Sequence, residues 1–235
     1  DIIESTAKAG GTLMIPAFSI ERTQEIIYEI EQMVEQGRIP PIPVFLDSPL
    51  AIKVTGIYSK YRAYMNKNVR SVDELFSFPR LVKTLTTDES KAIVDTPSPK
   101  IIIAGSGMSN GGRIIHHEKH YLPDPKSTLL LVGYQSAGSL GRQLQEGAKT
   151  VNILGQQVSV RARIAMITGY SAHQDSQGLL EYVDQCADSL KKVFVVMGEP
   201  KASLFLAQRI RDYLGVSAVV PRLGERTVID TIKQK

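Results

Sequence analysis

The residue of this sequence best placed to do chemistry is a histidine, in the run Ser171-Ala172-His173-Gln174-Asp175. The apolar stretch 162–167 before it reads as a strand, Gly169-Tyr170 breaks that strand, and a helical pattern begins at Ser176. His173 thus stands where a strand ends and a helix begins, the edge of an open α/β sheet at which ligands gather. An imidazole there could hydrogen-bond a phosphate, bind a metal or move a proton, and it could equally serve only as a hydrogen-bonder at the helix N-terminus. Three more histidines cluster at 116, 117 and 120. His116 and His120, four apart, would share a helix face and could bind a metal; placing His117 near a cleft, with His116 or His120 structural, fits as well. The order His116-His117-Glu118-Lys119-His120 is not the H-E-x-x-H of zinc proteases.

Glycine supplies a second kind of chemistry. The loops 47–49, 105–112 and 133–139 each follow a strand-like run and precede a helix-like one, and small residues dominate them. Such loops let backbone N–H groups approach an anion, and a helix N-terminus favours negative charge. Three on one sheet would converge on one edge as a phosphate-lined cleft. Neither the P-loop pattern nor a good G-x-G-x-x-G fingerprint is present, and no G-x-S-x-G elbow supports a serine nucleophile. Cys186, the single cysteine, falls on a helical pattern and reads as a small core residue; it excludes an intrachain disulfide and fits a reducing, cytoplasmic compartment.

The elements that must position these residues follow from periodicity. Strands are expected at 12–16, 42–46, 100–104 and 128–132, with helices over 21–36, from 49 to about 65, after 113 and up to 145. The stretch 66–100 reads mainly as surface connection with a short helix near 72–76. Strand–helix alternation implies an α/β fold, a mostly parallel sheet with helices on both faces. From about 150 the texture changes: 151–153 and 157–167 read as adjacent antiparallel strands around Gly155, followed by helix, strand, helix and strand to 220. A domain boundary is expected near 147–150. The 235 residues are 43% hydrophobic and 22% charged with a net charge of +4, which leans mildly toward anionic partners. No run is long and apolar enough to span a membrane, so no membrane partner is expected. Without tryptophan and with only 6% aromatics, base-stacking platforms must be few.

Five stretches in order carry a resemblance: Pro16-Ala17-Phe18-Ser19-Ile20-Glu21-Arg22-Thr23-Gln24-Glu25, Leu46-Asp47-Ser48-Pro49-Leu50-Ala51, Ser106-Gly107-Met108 with Gly111-Gly112-Arg113, Val132-Gly133-Tyr134-Gln135, and Tyr170-Ser171-Ala172-His173. Together they resemble the RNA-processing branch of the β-CASP ribonucleases, which are built on the metallo-β-lactamase fold. The resemblance implies a β-CASP domain over 1–148 and the C-terminal part of the lactamase-like domain, a partial αββα segment, over 149–235. It also implies phosphodiester hydrolysis by a zinc-activated hydroxide in a cleft between the two. His173 matches the family's histidine beside the scissile phosphate, and Ser106, Gly107, Met108, Ser109, Gly111, Gly112 and Arg113 match the segment lining the RNA path, with His117 and Ser171 beside it.

Two departures follow from the same comparison. In Val196-Met197-Gly198-Glu199-Pro200, Met197 stands where RNA-cleaving members place a zinc-binding histidine, and a thioether is a poor zinc donor. The H-x-H-x-D-H cluster, the bridging aspartate and the acid that family members carry upstream are missing, and Glu4-Ser5-Thr6 sits on a helical pattern rather than at that acid's place. The sequence therefore implies a fragment of a zinc-dependent ribonuclease: RNA as partner, a homodimer compatible with it, zinc in the full-length parent and none in this chain, and no activity alone. The alternative is a non-catalytic nucleic-acid-binding or scaffold paralogue with a degenerate metal site.

Overall fold

The computed structural model describes residues 1–70, 75–171 and 173–229. In chain order the elements are α1 (Ile2–Ala9), β1 (Thr12–Pro16), α2 (Arg22–Glu35), β2 (Val44–Asp47), α3 (Pro49–Lys60), α4 (Lys67–Arg70), β3 (Leu81–Lys83), α5 (Thr87–Ala92), β4 (Lys100–Ala104), α6 (Ile114–Tyr121), β5 (Thr128–Leu131), α7 (Leu140–Gln145), β6 (Thr150–Ile153), β7 (Gln156–Ser159), β8 (Arg163–Met166), α8 (Ser176–Asp184), β9 (Val193–Phe194), α9 (Pro200–Leu214) and β10 (Ala218–Val219). They fall into two compact units, Asp1–Ser171 and Ala172–Lys235.

The first unit is built on a 6-stranded sheet in the order β3-β2-β4-β1-β5-β8, and every pairing in it is parallel. β4, with three consecutive isoleucines, and β1 lie at its centre and are buried along their whole length, as an uninterrupted apolar run requires. Alternate side chains feed two cores. Leu13, Ile15, Leu46, Ile101 and Ile103 pack with Ile26, Ile27 and Ile30 of α2 on one face. Met14, Phe45, Ile102, Leu129 and Leu131 pack with Ile114 of α6, Leu144 of α7 and Val151 of the β6–β7 hairpin on the other. Burying each such Leu or Ile side chain contributes roughly 2 kcal/mol. The α/β class with a mostly parallel sheet is therefore the fold.

Local chemistry sets the helix ends that matter here. Ser48 caps α3, its hydroxyl accepting from the Ala51 N–H at 3.3 Å, with Pro49 in the first turn. Thr86 and Glu89 form a reciprocal capping box at α5.

Four expectations need correction. Cys186, expected as a small core residue on a helix, is exposed and lies just after α8. The helix expected to reach about Met65 ends at Lys60, and a 3₁₀ turn, Arg62–Tyr64, follows. The stretch 66–100 is largely exposed, as expected, but it is more than connection: Leu75, Phe76 and Phe78 enter the core, and β3 forms the sheet edge beside β2. Of the helix expected near 72–76, positions 72–74 lie outside the described residues, and 75–76 form a turn. Finally, 157–167 is two strands. β7 pairs antiparallel with β6, but Arg161 and Ala162 then donate their N–H groups to the Leu122 carbonyl, and the chain leaves as β8 to pair in parallel with β5. The boundary expected at 148/149 falls just ahead of β6, inside the first compact unit.

The second unit has α8 and α9 packed around β9 and β10, which pair in parallel. Leu180, Ala207, Ile210, Val216 and Ala218 form its core. Asp175 caps α8 by accepting from the Gln177 and Gly178 N–H groups at 3.0 and 2.8 Å.

Candidate nucleic-acid interface

Because the strands of the first unit are parallel, their C-terminal ends lie on one edge, and the loops after β1, β2, β4 and β5 meet there. Ser19 and Ser48 share a hydrogen bond at 3.1 Å between their hydroxyls, joining the first two loops. Phe18 lies against the third: a Cβ on Gly107 would come within 2.8 Å of its ring, so a larger residue would have to push the ring aside. The fourth loop grips the third through Gln135, whose Nε2 donates to the Gly107 carbonyl at 3.1 Å, through the Gly141 N–H on the Met108 carbonyl at 3.1 Å, and through the Leu140 N–H on Asn110 Oδ1 at 3.1 Å.

The 105–113 loop also folds back on itself. Ser106 N–H donates to the Gly111 carbonyl at 3.2 Å, and Asn110 N–H to Ser106 Oγ at 3.1 Å. Gly112 adopts φ +71°, and a Cβ there would stand 2.4 Å from the Gly105 carbonyl oxygen. The loop ends at Arg113, where α6 begins.

Beneath it lie two buried carboxylates. Asp47, at the end of β2, is fully buried. Its Oδ1 accepts from Thr84 Oγ1 at 2.6 Å and Arg113 at 2.7 Å, and its Oδ2 from Ser90 Oγ at 2.6 Å and His117 Nε2 at 2.7 Å. Burial works against ionisation, but the hydrogen bonds from His117, Ser90, Thr84 and Arg113 outweigh it and hold this carboxyl down at about 2. An ionised carboxylate only accepts, so Nε2 of His117 carries a proton. Glu118, the next residue along α6, is also fully buried. Burial pushes its carboxyl up to about 8 even though Ser109 Oγ donates a short hydrogen bond to Oε1. Glu118 Oε2 has no hydrogen-bond partner among the described residues.

The residues singled out from the sequence divide accordingly. Ser106, Met108, Gly111 and Gly112 lie in the loop with at least partial exposure. Gly107 is packed under Phe18. Ser109 and His117, expected along the RNA path, are instead turned inward, 1% and 3% exposed, and hold Glu118 and Asp47. Arg113 spends its guanidinium on Asp47 and on the Thr84 and Leu85 carbonyls, at 3.1 and 2.9 Å. His116 and His120 are exposed on the outer face of α6. Ser171 and His173 are exposed, the first closing the first unit and the second in a bend ahead of α8. Tyr170, just before them, is held under the Arg22 guanidinium at 5.2 Å. Glu4, Ser5 and Thr6 are helical, as expected, with Thr6 buried against Thr128.

Two residues were missed. Phe18 and Tyr134, 51% and 57% exposed, present rings from the first and fourth loops. Both stand inside quoted stretches, so the signal was in the sequence, but nothing in the spacing announced their exposure. Asp47, in the 47–49 loop, had no role of its own in the sequence reading.

The donor set among the described residues does not fit a zinc site. Among the described residues no three His, Cys, Asp or Glu side chains come together as metal ligands. Met197 is fully exposed, at φ +66°, in the turn between β9 and α9. No helix among the described residues is long and apolar enough to cross a membrane.

Comparison with known proteins adds a family. The Beta-Casp domain model matches residues 23–144, and the model of a Zn-dependent metallo-hydrolase RNA specificity domain matches 157–221. Ribonuclease TTHA0252 of Thermus thermophilus is 35% identical over 229 residues, covering 96% of this chain and 52% of that protein. Transcription termination factor FttA of Methanosarcina mazei is 31% identical over 221 residues, 89% of this chain and 34% of its own length. An RNase J-like protein of Methanocaldococcus jannaschii is 34% identical over 224 residues, 94% and 51% respectively. The chain thus spans from about a third to about a half of the curated relatives it matches.

Proposed function

Because the chain belongs to the β-CASP family, we propose that it is the RNA-binding part of a zinc-dependent, RNA-cleaving phosphodiesterase that processes or degrades RNA in the cytoplasm. The observation that carries this reading is the convergence of four loops at one edge of the parallel sheet, within the stretch that the family model covers. Small residues from Ser106 to Gly112 leading into α6 suit a phosphate backbone. The exposed rings of Phe18 and Tyr134 suit unpaired bases, which stack on aromatic faces regardless of sequence. Relatives called ribonucleases, and a second matching model described by RNA specificity, support RNA as the partner. We assign His173 to the scissile phosphate and Ser171 to phosphate binding. This reading gives the chain the holding and positioning of RNA, not the activation of water.

Binding of a fluorescently labelled single-stranded RNA, followed by anisotropy, tests it. Affinity should fall at least about tenfold between roughly 50 and 200 mM salt if several phosphates are contacted. His173→Ala should weaken binding several-fold. Salt-independent affinity, or no binding at all, would overturn the reading.

One observation favours a second reading, an RNA-binding paralogue that does not cut. Met197 is fully exposed at the position where the resemblance places a zinc-binding histidine. In the protein that carries this chain, RNA recovered intact with zinc supplied supports the second reading, and cleaved RNA supports the first.

A further inference from the structure

The buried groups under the 105–113 loop do more than fill space. Asp47 stands opposite Ala104 in the β2–β4 register, next to the residue at which the loop leaves the sheet. Its four donors come from segments far apart in the chain: Thr84 after β3, Ser90 on α5, Arg113 at the loop's end and His117 one turn further along α6. Arg113 and His117, four apart, sit on the same side of the helix start, so a single carboxylate ties both to β2. Arg113 also donates to the carbonyls of Thr84 and Leu85. The start of the loop is fixed by β4 and its end by Asp47.

We propose that Asp47 is the positioning residue of the RNA-facing edge: it fixes the end of the 105–113 loop and thereby sets the affinity of that edge for RNA. The affinity half of this inference rests on the RNA-binding reading above; the half that concerns the loop does not.

The two carboxylates make the inference sharp. Each Asp47 oxygen accepts two donors. Asparagine has the same shape, but its amide nitrogen would face two of those donors with a third donor, leaving buried N–H or O–H groups unsatisfied. Glu118 accepts through one oxygen only, from Ser109, while the other has no partner among the described residues. Glutamine reproduces that arrangement, with Oε1 still accepting. If the buried groups were mere packing, the two amide variants would behave alike.

The test measures amide hydrogen exchange across 105–113, and RNA affinity, for the unaltered chain and for Asp47→Asn, Glu118→Gln and Ser90→Ala. In Asp47→Asn, exchange in the loop and the RNA Kd should each rise about tenfold or more, as expected for losing charge-assisted hydrogen bonds, while amides of β1 and β4 keep their protection. Ser90→Ala removes one donor and should shift both in the same direction by a smaller factor; it decides the matter if Asp47→Asn does not fold. Glu118→Gln should leave both within about threefold. Loop exchange unchanged in Asp47→Asn, or in Ser90→Ala should the former not fold, overturns the proposal, as does Glu118→Gln loosening the loop as much as Asp47→Asn. A loosened loop with unchanged Kd overturns the link to affinity. If the unaltered chain binds no RNA, the RNA reading falls, and the exchange data alone judge the positioning role.

Discussion

Replacing Glu118 with glutamine should make the protein progressively more stable than the unaltered chain as the pH rises. Glu118 is fully buried, accepts one hydrogen bond, and is raised by burial from 4.5 to about 8. Below the unfolded value both states hold the proton, and the group imposes no pH dependence. Between that value and about 8 the unfolded chain releases the proton while the folded chain keeps it, so stability falls by about 1.4 kcal/mol per pH unit. Above about 8 both states are ionised and the loss stops growing. Glutamine does not titrate. The difference in unfolding free energy between variant and unaltered chain should therefore widen by roughly 3–4 kcal/mol from about pH 5 to about pH 8. Urea unfolding of both proteins at several pH values measures it, and taking the difference at each pH cancels every other titrating group. Parallel curves over this range would show that Glu118 ionises freely in the folded protein, and the account of a neutral acid under the loop would be wrong.

Other perturbations have equally definite outcomes. Thr84→Val removes the 2.6 Å bond to Asp47 and should cost about 1–2 kcal/mol by urea unfolding. Asp47 is held down at about 2, so its stabilisation is complete above the unfolded value and lost as pH falls through about 2; in Thr84→Val acid unfolding should begin at a higher pH. Lys100 is buried, donates to the Ile93 and Thr96 carbonyls, and is lowered by burial to about 8. From there up to its unfolded value near 10.5 the folded state has lost a proton that the unfolded state retains, so stability should rise with pH, and Lys100→Met should abolish that rise. In Gly11→Ala the new Cβ would stand 1.9 Å from the Lys126 carbonyl oxygen, which is backbone and cannot swing aside; a loss of about 3 kcal/mol or more in thermal unfolding is expected.

The central sheet was legible because its strands are buried on both faces and read as apolar runs, with amphipathic helices between them. β3 was not, since three residues at a sheet edge, one half-buried and two exposed, carry no period to detect. The break between β7 and β8 was hidden for a different reason: alternation runs through 157–167, and only two hydrogen bonds to Leu122 turn the chain aside. The glycine-rich loops and their shared edge could be read because parallel strands place them there. The roles of the groups beneath could not. Asp47 shows no role of its own in sequence, as its donors lie at 84, 90, 113 and 117 and only the fold assembles them. Glu118, among three histidines and a lysine, looks like a solvated helix face until the loop is seen to close over it with Ser109. His117 was placed near a cleft by its spacing, but it is buried, where it holds Asp47.

The most direct test of the RNA-binding edge is a footprint. Amide hydrogen exchange of the chain, with and without a saturating single-stranded RNA, reports which backbone the RNA covers. The account predicts protection concentrated in the loops after β1, β4 and β5, at 17–21, 105–113 and 133–139, with the opposite edge of the sheet unchanged. Protection confined to other segments, or none with the RNA demonstrably bound, would contradict it.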